Sequence, residues 1–289
     1  MSRSYQPIII VGAPRSGTNM LRDILCQIDG NATWPCDEIN YIWRYGNASY
    51  PSDEFPPQRA TPKIKKYINN KFDAIAKTYN AESVIEKTCA NSIRLEFVNE
   101  VMQDAKYLFI YRDGIDVVAS ARVRWTADLD IGYILKKLKY VPIADLPYYG
   151  SRYLFNRFYR LFSKEKRLAY WGPQLDMLEG TQRKRSIHEI CALQWQRCIE
   201  KSEQFLKTLP PERVYRIRYE DFVSAPEQEI DGVIRFIGKS ANATDIKKLV
   251  SGISAGSIGK GRRQLSAEEI ENLMPLIGPE LLRLGYANQ

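Results

Sequence analysis

The chain has 289 residues, of which 44% are hydrophobic and 26% charged, the ordinary balance of a soluble globular protein with room for one large α/β domain or two small ones. Its 42 Lys and Arg against 34 Asp and Glu leave a net charge of +8, which favours nucleotides, nucleic acids, acidic glycans or membrane surfaces as partners without choosing among them. No apolar run approaches the roughly 18 residues of a membrane span, and five cysteines without CxxC spacing exclude a disulfide scaffold and a zinc site and suit a reducing cytoplasm.

A short apolar run, Pro7 to Gly12, predicts a buried parallel strand at the start of the chain, leaving no room for a signal peptide. Asn31-Ala-Thr, Asn47-Ala-Ser and Asn242-Ala-Thr match the glycosylation pattern and, with no secretory signal, are read as chance. After the loop Ala13-Pro14-Arg15-Ser16-Gly17-Thr18, the apolar residues Met20, Leu21, Ile24, Leu25 and Ile28 recur at helical spacing. Further strands are expected at Ser83 to Glu86, Tyr107 to Tyr111 and Val214 to Arg218. Helices are expected near Ser92 to Met102, from Ile115 to Arg124, behind a Ser186–Glu189 capping box, and from the last strand to Gly238. This alternation predicts an α/β fold: a P-loop-like parallel sheet flanked by helices on both faces. The stretch 126–185 breaks the rhythm and is rich in Tyr, Phe, Lys and Arg. It is read as a helical insertion within one domain spanning 1–289.

Two segments carry chemistry. A strand, a Gly-containing loop and a helix bring unbonded backbone N–H groups and the positive helix end to one spot, which suits phosphate or sulfate. Here the loop reads Gly12-x-x-x-x-Gly17-Thr18-Asn19. Thr18 stands where a nucleotide-triphosphate loop has Lys, and the cation, Arg15, sits inside the loop, which argues against an ATP- or GTP-dependent kinase. Arg112 emerges at the carboxyl end of the second long strand, where α/β sheets bind ligands, and Ser120 and Arg124 follow on its helix. Together they form a cationic and hydroxyl cluster suited to a separate phosphate.

In this order and spacing the two segments resemble the PAPS-dependent sulfotransferase family, PAPS being 3′-phosphoadenosine-5′-phosphosulfate. Pro14-Arg15-Ser16-Gly17-Thr18 is similar to its 5′-phosphosulfate loop, and Arg112-Asp113-Gly114 through Ser120 to its 3′-phosphate motif. Glu86-Lys87-Thr88 resembles the lysine segment, and Tyr215 to Asp221 the strand and turn that reach the nucleotide, with Tyr219 at the contact. Ser257-Ile258-Gly259-Lys260-Gly261-Arg262 looks like the C-terminal loop that closes over the 3′-phosphate.

The cytosolic branch of the family has a His base after Lys-Thr. Here Cys89 stands there and reads as core, while the lone His188 reads as a surface residue far from these motifs. The chain instead resembles the tyrosylprotein and carbohydrate sulfotransferases, whose base is Glu. Glu38, in Trp34-Pro35-Cys36-Asp37-Glu38, matches that base by position, with Asp37 as its rival.

The resemblance implies that Glu38, Arg15 and Lys87 are catalytic. Arg15, Ser16, Gly17, Thr18, Asn19, Arg112, Ser120, Arg124, Tyr219, Lys260 and Arg262 would hold PAPS, with the amides of Ser16 to Asn19 on the 5′-phosphate. It implies a hydroxyl acceptor, with carbohydrate or glycolipid ahead of phenol and tyrosine, and no metal. A non-enzymatic binder of anionic ligands or RNA is the other rival, although no RNA-binding motif is present. The insertion, with Tyr133, Tyr140, Tyr148, Tyr149, Tyr153, Tyr159 and Trp171, is expected to wall or cover the acceptor cleft and to offer basic residues to an acidic acceptor or to membrane headgroups.

Overall fold

A computed structural model of the chain describes residues 3–126, 139–163, 167–181 and 184–286. Tyr133 lies outside them, as does part of the expected insertion.

The first half of the chain runs β1 (Gln6–Val11), α1 (Thr18–Leu25), β2 (Asn31–Ala32), α2 (Asn40–Trp43), α3 (Pro62–Tyr79), β3 (Ser83–Lys87), α4 (Leu95–Val101), β4 (Lys106–Tyr111) and α5 (Gly114–Thr126). Beyond it come α6 (Leu146–Phe162), α7 (Ile187–Leu206), β5 (Val214–Arg218), α8 (Tyr219–Ser224), α9 (Pro226–Phe236), α10 (Ala243–Val250), α11 (Lys260–Gln264) and α12 (Ala267–Arg283). The strands form one sheet in the order β2-β3-β1-β4-β5, and every pairing is parallel. This is the expected α/β class. The short β2 at the sheet edge has too few residues to show a strand pattern.

The continuous apolar strands bury both faces, as a sheet covered by helices on each side requires. Along β1, Ile9 and Val11 enter one core while Ile8 and Ile10 enter the other. In β4, Tyr107 and Phe109 oppose Leu108 and Ile110 in the same way.

Two expected helices are divided. Before α4 the chain forms a 3₁₀ turn, Cys89–Ile93, and Arg94 leaves helical geometry at φ −141°. After β5 the helix breaks at Ala225 (φ −131°, ψ 58°), because Pro226 disfavours helical backbone in the residue before it. The Ser186–Glu189 capping box is present at the start of α7. Helices α3, α10 and α12 lie outside the elements read from periodicity; α3 and α12 open on Thr61 and Ser266 caps.

Because β1 sits between β3 and β4, chain connections leave it in both directions. The carboxyl ends of β1, β3, β4 and β5 therefore open on one crevice, where open α/β sheets hold ligands. The loop at 12–17, Lys87, Arg112 and Tyr219 follow or end those four strands.

Candidate active site

The loop after β1 is held in a strained shape. Arg15 and Gly17 have positive φ, 73° and 91°. A Cβ on Gly17 would stand 2.7 Å from the Tyr219 ring, so glycine is required both for the turn and for that ring's approach. Ser92 Oγ accepts from the Gly12 N–H at 2.9 Å and donates to the Gly12 carbonyl at 3.1 Å, fastening the loop's root. The Leu21 N–H bonds back to the Gly17 carbonyl, so the N–H groups of the first helical turn, Thr18 to Met20, have no carbonyl partner within the helix. The Ser16 N–H does not join them, because it donates to the Ala13 carbonyl at 3.2 Å. Its hydroxyl is buried without a partner, as is the Asn19 side-chain carbonyl.

Arg15 Nε donates to Ser120 Oγ at 3.0 Å, so the two phosphate motifs touch directly. Burial, then the neighbouring Arg124 and Arg112, push the Arg15 pKa below the ordinary arginine value. Three cations crowded at one point repel one another and are relieved by an anion. Arg112 is buried, with its guanidinium 4.3 Å over the Tyr219 ring. It donates to the Arg15 carbonyl at 3.2 Å and the Ser257 carbonyl at 2.7 Å, and pairs with Asp116 at 3.3 Å. Arg112 Nε remains buried without a partner.

The loop at 257–262 is pinned to the start of α5. Asp116, one turn beyond Arg112, accepts from the N–H groups of Gly259 at 2.9 Å and Gly261 at 2.5 Å. A Cβ on Gly261 would fall 2.5 Å from the Ile115 carbonyl, so only glycine allows this contact. Tyr219 and Ser257 join through their hydroxyls at 2.6 Å. Arg262 reaches Asp113 at 3.3 Å and the Tyr286 carbonyl at 3.2 Å, and its Nε is a further buried donor without a partner. Lys260 points to solvent. A cavity of about 130 Å³ lies here, lined by Asp113, Asp116, Glu220, Ile258, Gly259 and Arg262. Asp116 was legible only as part of a motif string; its role follows from its i+4 position to Arg112 on α5.

Across the crevice, Glu38 Oε1 accepts from Lys87 Nζ at 3.0 Å and from the Cys89 N–H at 3.3 Å. Burial works against the charge on Lys87, yet the Glu38 carboxylate prevails and raises its pKa. Burial, and next Glu38, raise the Cys89 thiol to about 12, so it stays protonated and cannot serve as a base at neutral pH. Cys89 is buried, as expected, but it also touches the site, with Sγ 3.8 Å from Thr18 Oγ1. Asp37 faces Arg22, which donates to its carbonyl at 2.9 Å and pairs with its carboxylate at 3.4 Å. His188 lies by Arg122 and Glu269, away from these groups.

Beneath Glu38 lies an ionic hub that periodicity and motif spacing leave hidden. Asp53 is fully buried and pairs with Arg44 at 2.8 Å and Arg94 at 3.2 Å. Burial alone would raise its pKa, but Arg94 and Arg44, helped by the Gln174 N–H, hold it below the usual carboxylate value. Arg94 also bonds Asn40 Oδ1 at 2.6 Å, two residues beyond Glu38, and Asn91 Oδ1 at 2.9 Å. Asp53 and Gln174 bond twice: N–H to carbonyl at 2.7 Å, and Gln174 N–H to Asp53 Oδ2 at 2.9 Å. The hub thus joins the Glu38 segment to the stretch after α6. On the same side the Tyr149 ring meets Tyr41 edge-on at 4.6 Å, and Tyr148 meets Tyr149 at 5.3 Å.

The Ser16 hydroxyl, Arg112 Nε and Arg262 Nε, together with the crowded arginines, fit a nucleotide bearing two separated anionic groups. Among the described residues no group of three or more His, Cys, Asp or Glu is placed to hold a metal ion.

The family model described as the sulfotransferase domain matches residues 6–260. No curated protein sequence matches the chain at a significant level. In fold the chain is similar to a sulfotransferase domain from the Synechococcus PCC 7002 olefin synthase, with TM-score 0.54, 12% identity and 96% of each chain covered. It is similar to a sulfotransferase domain from the curacin biosynthetic pathway, with TM-score 0.52, 16% identity, 89% of this chain and 84% of that one. It is also similar to mouse sulfotransferase SULT7A1 complexed with PAP, with TM-score 0.52, 12% identity, 97% of this chain and 85% of that one.

Proposed function

The chain belongs to the sulfotransferase family, whose donor is PAPS, and from that premise we propose that it sulfates a hydroxyl acceptor with Glu38 as general base. The observation that carries this reading is the Glu38–Lys87 pair at 3.0 Å, set at the same strand ends as the anion-binding loop. When bound, PAPS supplies the sulfuryl group from its 5′-phosphosulfate.

The residues around it take the following parts. The N–H groups from Gly17 to Asn19 and the Ser16 hydroxyl hold the 5′-phosphate. Arg112, Ser120 and Arg124 hold the 3′-phosphate, and Tyr219 and Arg262 close over the nucleotide, while Lys260 stays exposed to solvent. Glu38 takes the acceptor proton at its carboxylate. Lys87 and Arg15 meet the charge that spreads over the transferring group, where fixed cations act without reorganising. As in phosphoryl transfer, positioning and electrostatics then carry most of the acceleration. The insertion at 126–185 walls the acceptor side through Tyr148 and Tyr149, within a single domain spanning 1–289. A carbohydrate or glycolipid hydroxyl suits those flat aromatic faces, which can lie against a sugar ring.

The test of the donor is a thermal shift. 3′-Phosphoadenosine 5′-phosphate should stabilise the protein strongly and ADP little. Equal stabilisation by both would remove the 3′-phosphate site. Labelled PAPS offered with panels of glycans, glycolipids and phenols then identifies the acceptor, and glycans and glycolipids left unlabelled while phenols react would reject that class.

A further inference from the structure

Helix α6 has two faces of different character. Tyr149, Arg152 and Asn156 lie on one side. Tyr149 meets Tyr41, Arg152 donates to Gln174 Oε1 at 2.7 Å, and Asn156 Oδ1 accepts from the N–H groups of Ala169 at 2.5 Å and Tyr170 at 3.1 Å. Leu154, Phe158 and Phe162 recur every fourth residue, and at about 100° per residue they fall on the opposite side. These three are 57%, 61% and 85% exposed, and Ile143, just before the helix, is 85% exposed. Scattered exposed apolar residues need no explanation, but a continuous apolar stripe along one helix marks a surface that contacts something.

Charge narrows what that is. Residues 139–167 hold seven Lys or Arg in sequence (Lys139, Arg152, Arg157, Arg160, Lys164, Lys166 and Arg167) and two acids, Asp145 and Glu165. Arg152 is taken up by Gln174 and Arg167 is buried, and without these two the stretch still carries a net +3. A second copy of the chain would bring the same positive stretch against itself and be repelled. An apolar stripe within a stretch of positive net charge is instead complementary to an anionic bilayer, where the stripe enters the acyl boundary and the positive charge favours anionic headgroups.

We propose that α6 docks this protein on an anionic membrane surface through Leu154, Phe158 and Phe162. No helix among the described residues is long and apolar enough to cross a membrane, so the contact is peripheral. The opposite face of α6 touches Tyr41, three residues from Glu38, so docking brings the bilayer beside the acceptor side of the cleft. A lipid-borne acceptor follows from docking together with the reading of Glu38 given above; docking itself does not depend on that reading.

The experiment is flotation of the full chain with vesicles of phosphatidylcholine, with and without 30% phosphatidylglycerol. The wild type should float with the anionic vesicles alone, and added salt should weaken binding. The triple variant Leu154→Ser, Phe158→Ser, Phe162→Ser should bind those vesicles at least tenfold more weakly. Its thermal shift with 3′-phosphoadenosine 5′-phosphate should stay unchanged, which shows that it folds; should the triple variant fail that check, Phe162→Ser alone is used, with a smaller loss expected. Failure of the wild type to float overturns the proposal, as does a folded variant that floats like the wild type. A wild-type dimer in light scattering that the variant dissolves would assign the stripe to a second copy instead. Loss of the nucleotide shift in both proteins, with flotation intact, would sink the donor reading and leave the docking surface standing.

Discussion

On the proposed donor side of the crevice, main chain sets the shape in which the cationic side chains Arg15, Arg112 and Arg262 stand. Gly17 and Gly261 exist to let backbone or ring come close, and Asp116 holds two N–H groups of the closing loop. On the proposed acceptor side the shape is set by side chains: Glu38 on Lys87, Asp53 between two arginines, and tyrosines edge to face. A site made of main chain needs particular residues at fixed spacing. A site made of side chains needs only that distant residues converge, and many sequences can satisfy that. The donor side can thus stay constant while the acceptor side changes.

Three measurements would break or sharpen this contrast. The largest effect belongs to Glu38→Gln, which keeps size and hydrogen-bonding reach but loses the proton acceptor. Turnover should fall about 10²- to 10⁴-fold with donor affinity nearly unchanged. Asp37→Asn should keep most activity, because Asp37 faces Arg22 and not Lys87. If the two variants behaved the other way round, their roles would be exchanged.

The next effect is on stability and comes from Glu86, one residue before Lys87. Its carboxyl is fully buried, Oε2 accepts from Asn91 Nδ2 at 2.9 Å, and burial outweighs Thr88, Trp43, Arg94 and Lys87 to lift its pKa from 4.5 to about 7. The folded state therefore binds this proton more tightly than the unfolded state does. Its contribution favours folding in acid and is lost as pH rises from about 4.5 towards 7. The loss approaches about 3 kcal/mol at most. Urea midpoints at pH 5 and pH 8 should show Glu86→Gln gaining on the wild type at the higher pH. A constant difference between the two proteins would mean that Glu86 titrates normally.

The smallest effect is Arg112→Ala. It should weaken 3′-phosphoadenosine 5′-phosphate binding by about 2 kcal/mol, or ~30-fold, and ADP binding much less. Calorimetry showing the same loss for both nucleotides would mean that Arg112 acts only by holding the carbonyls of Arg15 and Ser257.

The division between the two sides also explains what the sequence discloses. The β1 loop and the Arg112 to Ser120 segment were legible because strained loops and helix starts require residues close together in the chain. Their strands could be read because both faces are buried and the runs are continuously apolar. Glu38 needed a family resemblance, since a loop carboxylate has no periodicity. Asp53 gave no signal, because Arg94 and Gln174 are distant in sequence and meet it only in the fold, and Arg44, though nearer, stands at no helical or strand spacing from it. The break at Ala225 was readable in principle from Pro226. That at Arg94 was not, since its side chain is held by Asn40, Asn91 and Asp53.

The double bond between Asp53 and Gln174 bears on how such a cleft can be refitted. Position 174 contributes only its main-chain N–H and carbonyl to this joint. For the joint itself any residue that keeps its N–H serves and proline does not, the Gln174 side chain being engaged separately by Arg152. At this joint the stretch between α5 and α7 is attached by a fitting that does not inspect the side chain it carries, while Tyr149 on Tyr41 and Trp171 by Trp125 are the contacts that a replacement would have to match. Lineages, or engineers, could exchange that stretch wholesale to change the acceptor, keeping Asp53 with its arginines as the socket and leaving the nucleotide end untouched.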